Sequence, residues 1–320
     1  MHGRSIIDGD GGGVWHNRAA FPAAMSSTSR SLLPLLALVG VALALGSGHV
    51  FARLALTHGV TILTAATMRS ACAAALLFVV LRVRGIPVLP LRGAARATVL
   101  FGVLIAVQTL AVQLAVKRMP VALAILLFYT YPLFTGIASS ALGSERLSAR
   151  LLATMFAAFA GLALVLGVAT HGVDLLGVLA ALTASACFTA VLVLTPQLTP
   201  SLAAPVRTFL MLLTAATIFV LACAGTSQFH WPVDPTGAAG LAGLALCYAV
   251  GIITLFLVLP LLGPMQTAVV LNLEPVVVAL IAWAALGEAL SALQMLGAVI
   301  VVAAVIYFQV ARRGPAPRPR

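Results

Sequence analysis

Charge is the scarcest commodity in this chain of 320 residues. Only 8% are charged, with seven acids and eighteen bases, of which Lys117 is the sole lysine. A soluble domain carries roughly a quarter charged residues, so a water-facing surface cannot be built here. Beyond residue 10 the aspartates are Asp174 and Asp234, which leaves no aspartate pair for acid–base chemistry. The four cysteines (Cys72, Cys187, Cys223, Cys247) stand far apart inside apolar blocks. No Cys-x-x-Cys or Cys/His cluster is formed, so neither a metal site nor any cofactor is expected. No Gly-rich phosphate loop precedes Lys117, which argues against an ATP-driven pump. The absence of His-Glu-x-x-His and Gly-x-Ser-x-Gly argues against an intramembrane enzyme.

What is present is apolar. Hydrophobic residues make up 62% of the chain and mean hydropathy is +1.16. They come in blocks of about 20, the length a helix needs to cross a ~30 Å hydrocarbon core. Lipid offers backbone groups no partners, so such blocks become helices or barrel strands. Strands would alternate in polarity over ~10 residues, and these blocks do not. The expectation is an all-α polytopic membrane protein with ten transmembrane helices, at residues 33–54, 61–81, 97–116, 121–142, 149–168, 174–195, 204–224, 237–258, 265–286 and 291–310.

The net charge of +11 comes from arginines at span ends, and no basic stripe alternates with aromatics to suggest nucleic acid. Placing the N-terminus in the cytoplasm puts Arg4, Arg18, Arg30, Arg82, Arg84, Arg92, Arg96, Arg146, Arg150, Arg312, Arg313, Arg318 and Arg320 inside. Only Lys117 and Arg118 then fall outside, thirteen against two. Both termini are therefore expected in the cytoplasm, in a multi-pass cell (inner) membrane protein. Residues 1–31 are Gly- and Ser-rich and are expected to be a disordered cytoplasmic segment, with Met25 an alternative start to Met1. Residues 312–320 form a basic cytoplasmic tail.

An internal repeat runs through the spans. Glu145-Arg146-Leu147-Ser148-Ala149 returns as Glu288-Ala289-Leu290-Ser291-Ala292, 143 residues on, and the same offset carries Pro132 to Pro275 and Ala141 to Ala284. Each string closes one span and opens the next. Locally, Ser148 and Ser291 suit helix N-caps, and Glu145 and Glu288 could be solvated loop carboxylates. Neither local role explains the matched string. Five spans per copy is odd, so the two five-helix repeats are expected to be inverted, an architecture of secondary transporters.

An ionisable group in lipid costs about 2.5–3.5 kcal/mol and needs a partner, a cavity or an escape. Glu274 lies near the midplane, roughly 13–14 Å into its span by helical rise. Arg69 lies about as deep from the other side. They are expected either to face one cavity as solute site or gate, or to form a buried salt bridge. A poorly solvated Glu274 would be a proton-carrier candidate. His49 shares a face with Arg53 one turn on. His49 is a site candidate, while Arg53 and Arg207 are expected to snorkel. Asn272, Tyr129, Gln113, Tyr248 and Gln108 could line a solute path or serve as interhelical glue. Pro132 and Pro275 are helix-kink candidates, each freeing a carbonyl about four residues back. Small residues at Gly243, Cys247 and Gly251, and at Ala157 and Gly161, allow close packing within one chain or in a homodimer.

Asn272-Leu273-Glu274-Pro275-Val276, Trp283, Leu286-Gly287-Glu288 and Gln294-Met295-Leu296-Gly297-Ala298 resemble the second-repeat signature of EamA-type proteins of the drug/metabolite transporter superfamily. Tyr129-Thr130-Tyr131-Pro132 with Glu145 is similar to its first-repeat counterpart, and Thr67-Met68-Arg69 matches the family's arginine position. Leu290 departs from it, since the family commonly has proline after its Gly-Glu. The resemblance implies two EamA-like repeats, 32–168 and 169–311. It also implies secondary transport of a small polar metabolite, such as an amino acid, often as export by alternating access. A channel-like or structural membrane protein is the alternative.

Overall fold

A computed structural model describes residues 27–88, 92–168, 173–286 and 289–312. Among the described residues every regular element is an α-helix. The helices are α1 (Ser27–Thr57), α2 (Ile62–Val83), α3 (Arg92–Arg118), α4 (Val121–Phe128), α5 (Tyr131–Ala141), α6 (Ala149–Leu166), α7 (Leu175–Leu198), α8 (Ala204–Thr226), α9 (Pro235–Leu262), α10 (Pro264–Leu271), α11 (Leu273–Leu286) and α12 (Ala292–Arg312). Taken together, they supply ten stretches long and apolar enough to cross a membrane.

Polar residues start the helices where backbone N–H groups would otherwise be orphaned. Ser148 Oγ accepts from Leu151 N–H at 3.3 Å, and Asp174 accepts from Gly177 N–H at 2.8 Å. Ser291 and Gln294 cap each other reciprocally, at 2.9 and 3.2 Å.

Two spans depart from the continuous helices expected over 121–142 and 265–286. Each is a pair of half-helices, α4–α5 and α10–α11, broken at Tyr129–Thr130 and at Asn272. The offset of 143 carries Tyr129 onto Asn272, so the two breaks occupy equivalent repeat positions. Pro132 stands in the first turn of α5, where its missing N–H costs nothing. The Thr130 hydroxyl donates to the Leu127 carbonyl at 2.7 Å, competing with the helical ladder.

The repeats are opposed and interleaved. Gln294 at the start of α12 donates to the Val165 carbonyl near the end of α6, at 3.2 Å. Farther along, Gly297 crosses Gly161 so closely that a Cβ on Gly297 would stand 2.5 Å from the Gly161 carbonyl oxygen. The two helices are therefore antiparallel, and Ser148 and Ser291 lie at opposite ends of the bundle. The other long pairings also cross between repeats: α1 with α9, α3 with α7, and α2 with α8. The small-residue faces are used inside the chain. A Cβ on Gly240 would stand 2.7 Å from Ala55 N, Gly243 lies under the Phe51 ring, and Gly251 faces Leu45.

Candidate functional site

The site is built where the two broken spans meet. Glu274 is the single acidic side chain inside any of the ten spans, and it falls in the first turn of α11, two residues after the break. The N-terminus of a half-helix suits a carboxylate, because unpaired N–H groups and the helix dipole both favour negative charge there. The first-repeat position equivalent to Glu274 is Tyr131. Tyr129 and Tyr131 flank the first break, with their ring centroids 5.6 Å apart. The two tyrosines are buried and belong to an aromatic cluster. Phe128 stacks near both, and Phe188 meets Tyr131 edge-on at 4.8 Å between centroids.

The partner of Glu274 comes from α1. His49 Nε2 lies 2.7 Å from Glu274 Oε1, an ion pair whenever the ring is protonated. The His49 side chain is 55% exposed and the Glu274 side chain 12%, so the imidazole is the open side of the pair. A half-buried carboxylate, an accessible imidazole and a phenol are groups that can hydrogen-bond an amine or hydroxyl.

Arg69 is placed elsewhere. Its guanidinium lies over the Tyr248 ring, 4.5 Å from the centroid, and donates to Thr109 Oγ1 at 3.3 Å. This links α2, α3 and α9 through a cation–π contact. The ion pairs of the described residues do not join Arg69 to Glu274; the salt bridge weighed from sequence is replaced by Glu274–His49. Asn272 is buried at the α10–α11 break. Gln113 lies apart from these groups, in a groove of about 630 Å³ lined also by Thr61, Lys117, Gln228 and His230. Pro275 is the third residue of α11 and leaves the Leu271 carbonyl without its usual donor.

Glu145 is not merely a solvated loop carboxylate: it accepts from Met265 N–H at 3.1 Å, at the start of α10. Glu288 lies outside the described residues. Arg207 does not snorkel. It is 3% exposed, because the face of α8 it occupies turns into the bundle. Arg53, by contrast, is exposed. Sequence reasoning did not single out Tyr131, Phe128, Phe188 or Thr109 as site residues. The repeat offset, which lays Tyr131 on Glu274, was the signal available for the first of them.

Two opposed copies of a five-span unit, each with a broken fourth span, define a polytopic α-helical membrane protein of inverted-repeat type. The chain belongs to the EamA-like transporter family, whose pattern it matches twice, over residues 32–167 and 175–309. No curated protein matches the sequence. A solved structure described only as "Crystal structure of protein" matches with TM-score 0.70 at 20% identity, over 89% of this chain and 99% of the other, a likeness of fold.

Proposed function

We propose that the chain is a secondary transporter that exports a small polar metabolite, an amino acid or similar solute, across the cell membrane by alternating access. In this reading residues 32–168 and 169–311 are the two EamA-like repeats, and both termini are cytoplasmic. The solute passes the His49–Glu274 pair, with Tyr129, Asn272 and the freed carbonyls at the breaks offering further hydrogen-bonding groups. Gln113 lines the outer approach, and Arg69 with Tyr248 shapes the wall between α2 and α9. One observation carries the reading: a lone carboxylate at mid-span, paired with a histidine from the opposite repeat where two helices break. Such a carboxylate is costly in lipid and is placed where inverted-repeat transporters hold solute. Proton exchange at Glu274 would couple transport to the proton gradient.

The test is uptake and counterflow of a panel of labelled amino acids in proteoliposomes of the full chain. Saturable flux with counterflow, lowered at least tenfold in Glu274→Gln and His49→Ala at unchanged protein incorporation, is the expected result. Unsaturable flux would point to a channel. Unaltered, still proton-responsive flux in Glu274→Gln would remove this pair from the mechanism.

A further inference from the structure

The turn between α7 and α8 holds a second polar cluster, away from Glu274. Arg207 sits in the first turn of α8 and is 3% exposed. Its Nη1 donates to Thr199 Oγ1 at 3.5 Å. The Thr199 hydroxyl in turn donates to the Thr195 carbonyl at 2.6 Å, so it is free to accept from the guanidinium. The other two guanidinium nitrogens, Nε and Nη2, are buried with no hydrogen-bond partner among the described residues. They share one edge of the planar group, and their N–H bonds point the same way. That edge is the parallel fork on which a carboxylate or phosphate seats two oxygens.

The surroundings add to the imbalance. Thr195 Oγ1, one helical turn before Thr199, is also buried and without a partner among the described residues. The N-cap of α8, Ala203, offers no side-chain cap, so the positive end of the helix dipole lies beside the arginine. None of the ion pairs among the described residues involves Arg207. A buried cation with open donors is among the costliest arrangements a protein can hold, and an anion relieves it.

We propose that Arg207, oriented by Thr199, is an oxyanion-binding site that takes a carboxylate or phosphate group side-on at Nε and Nη2. Thr195 Oγ1 supplies a further donor. The fork is enclosed in this state, so the turn at 199–203 must part to admit the group. The group's source is either a soluble anion, such as the acid group of a solute, or a lipid headgroup phosphate. The site does not depend on the transport reading, because binding is measured without flux.

The experiment follows thermal unfolding of the full chain, by tryptophan fluorescence, in nanodiscs of phosphatidylcholine alone. Sodium phosphate or acetate is compared with sodium chloride at matched ionic strength, and a parallel set of nanodiscs contains phosphatidylglycerol. A soluble source raises the midpoint by roughly 2–4 °C in phosphate or acetate, and a lipid source raises it by as much in phosphatidylglycerol only. Arg207→Met should lose the shift. If that variant does not fold, Arg207→Lys keeps the charge but not the fork, and its half-saturating anion concentration should rise by about tenfold. Wild-type protein that shows no shift under any condition would overturn the proposal. So would a shift retained in full by Arg207→Met, or by Arg207→Lys where Arg207→Met does not fold.

Discussion

Glu145, in the loop that follows α5, holds the backbone N–H of Met265 at the start of α10, 120 residues away. The loop of one repeat thereby caps the broken span of the other. Gly263, immediately before α10, has φ +82° and ψ 162°, a conformation open essentially to glycine alone. A Cβ there would stand 2.6 Å from the Glu145 carboxylate.

Glu145→Ala should therefore lower stability by about 0.5–2 kcal/mol, the usual cost of a lost cap. Glu145→Gln keeps an acceptor and should cost less. Gly263→Ala should be worse than either, because strain and clash add to the lost cap. Unfolding midpoints of the purified variants in one detergent would rank them, and Gly263→Ala behaving like wild type would contradict this geometry.

The crossing of α6 and α12 leaves no room for a side chain. A Cβ on Gly161 would lie 2.9 Å from Ile300 Cγ2 and 3.0 Å from the Gly297 carbonyl oxygen. Gly161→Val should destabilise by at least ~1–3 kcal/mol through overpacking. Gly40, with nothing within 4 Å of its Cβ position, is the control, and Gly40→Ala should leave the midpoint unchanged or raise it.

Acid should loosen the start of α9. The Asp234 carboxyl is held below its ordinary 3.8, first by the Gly237 N–H and then by the side chain of His58, 2.6 Å away. The folded chain thus favours the ionised form. The resulting stability is complete above the ordinary value and is lost as pH falls through the lowered one. Midpoints measured from neutral pH down through the carboxylate range should fall less steeply in Asp234→Asn than in wild type.

Much of the fold was legible because lipid leaves the backbone few choices. Apolar run length marked ten spans, and Ser148 and Ser291 marked where α6 and α12 begin. The matched Glu-x-Leu-Ser-Ala strings marked the inversion, which the Gln294–Val165 contact places in space. The breaks were half legible. Pro132 and Pro275 flagged local distortion, but the helices part upstream, at Tyr129–Thr130 and Asn272, where side-chain hydrogen bonding and packing decide. Partners across the bundle were not legible. His49 meets Glu274 across 225 residues, and nothing in the spacing of either span encodes that meeting. Counting residues from a span end gives depth but not rotation, and so Arg207 was expected at the interface although its face of α8 turns inward.

The interleaving of the halves has a consequence for biogenesis. α1 leaves the ribosome long before α9, the helix it packs against, has been made, and α6 must likewise wait for α12. The first five spans enter the bilayer with the faces that will meet the second repeat, Gly161 of α6 among them, still bare, and assembly completes only after α12 has been made. A truncated first half would lack the helices that cover those faces.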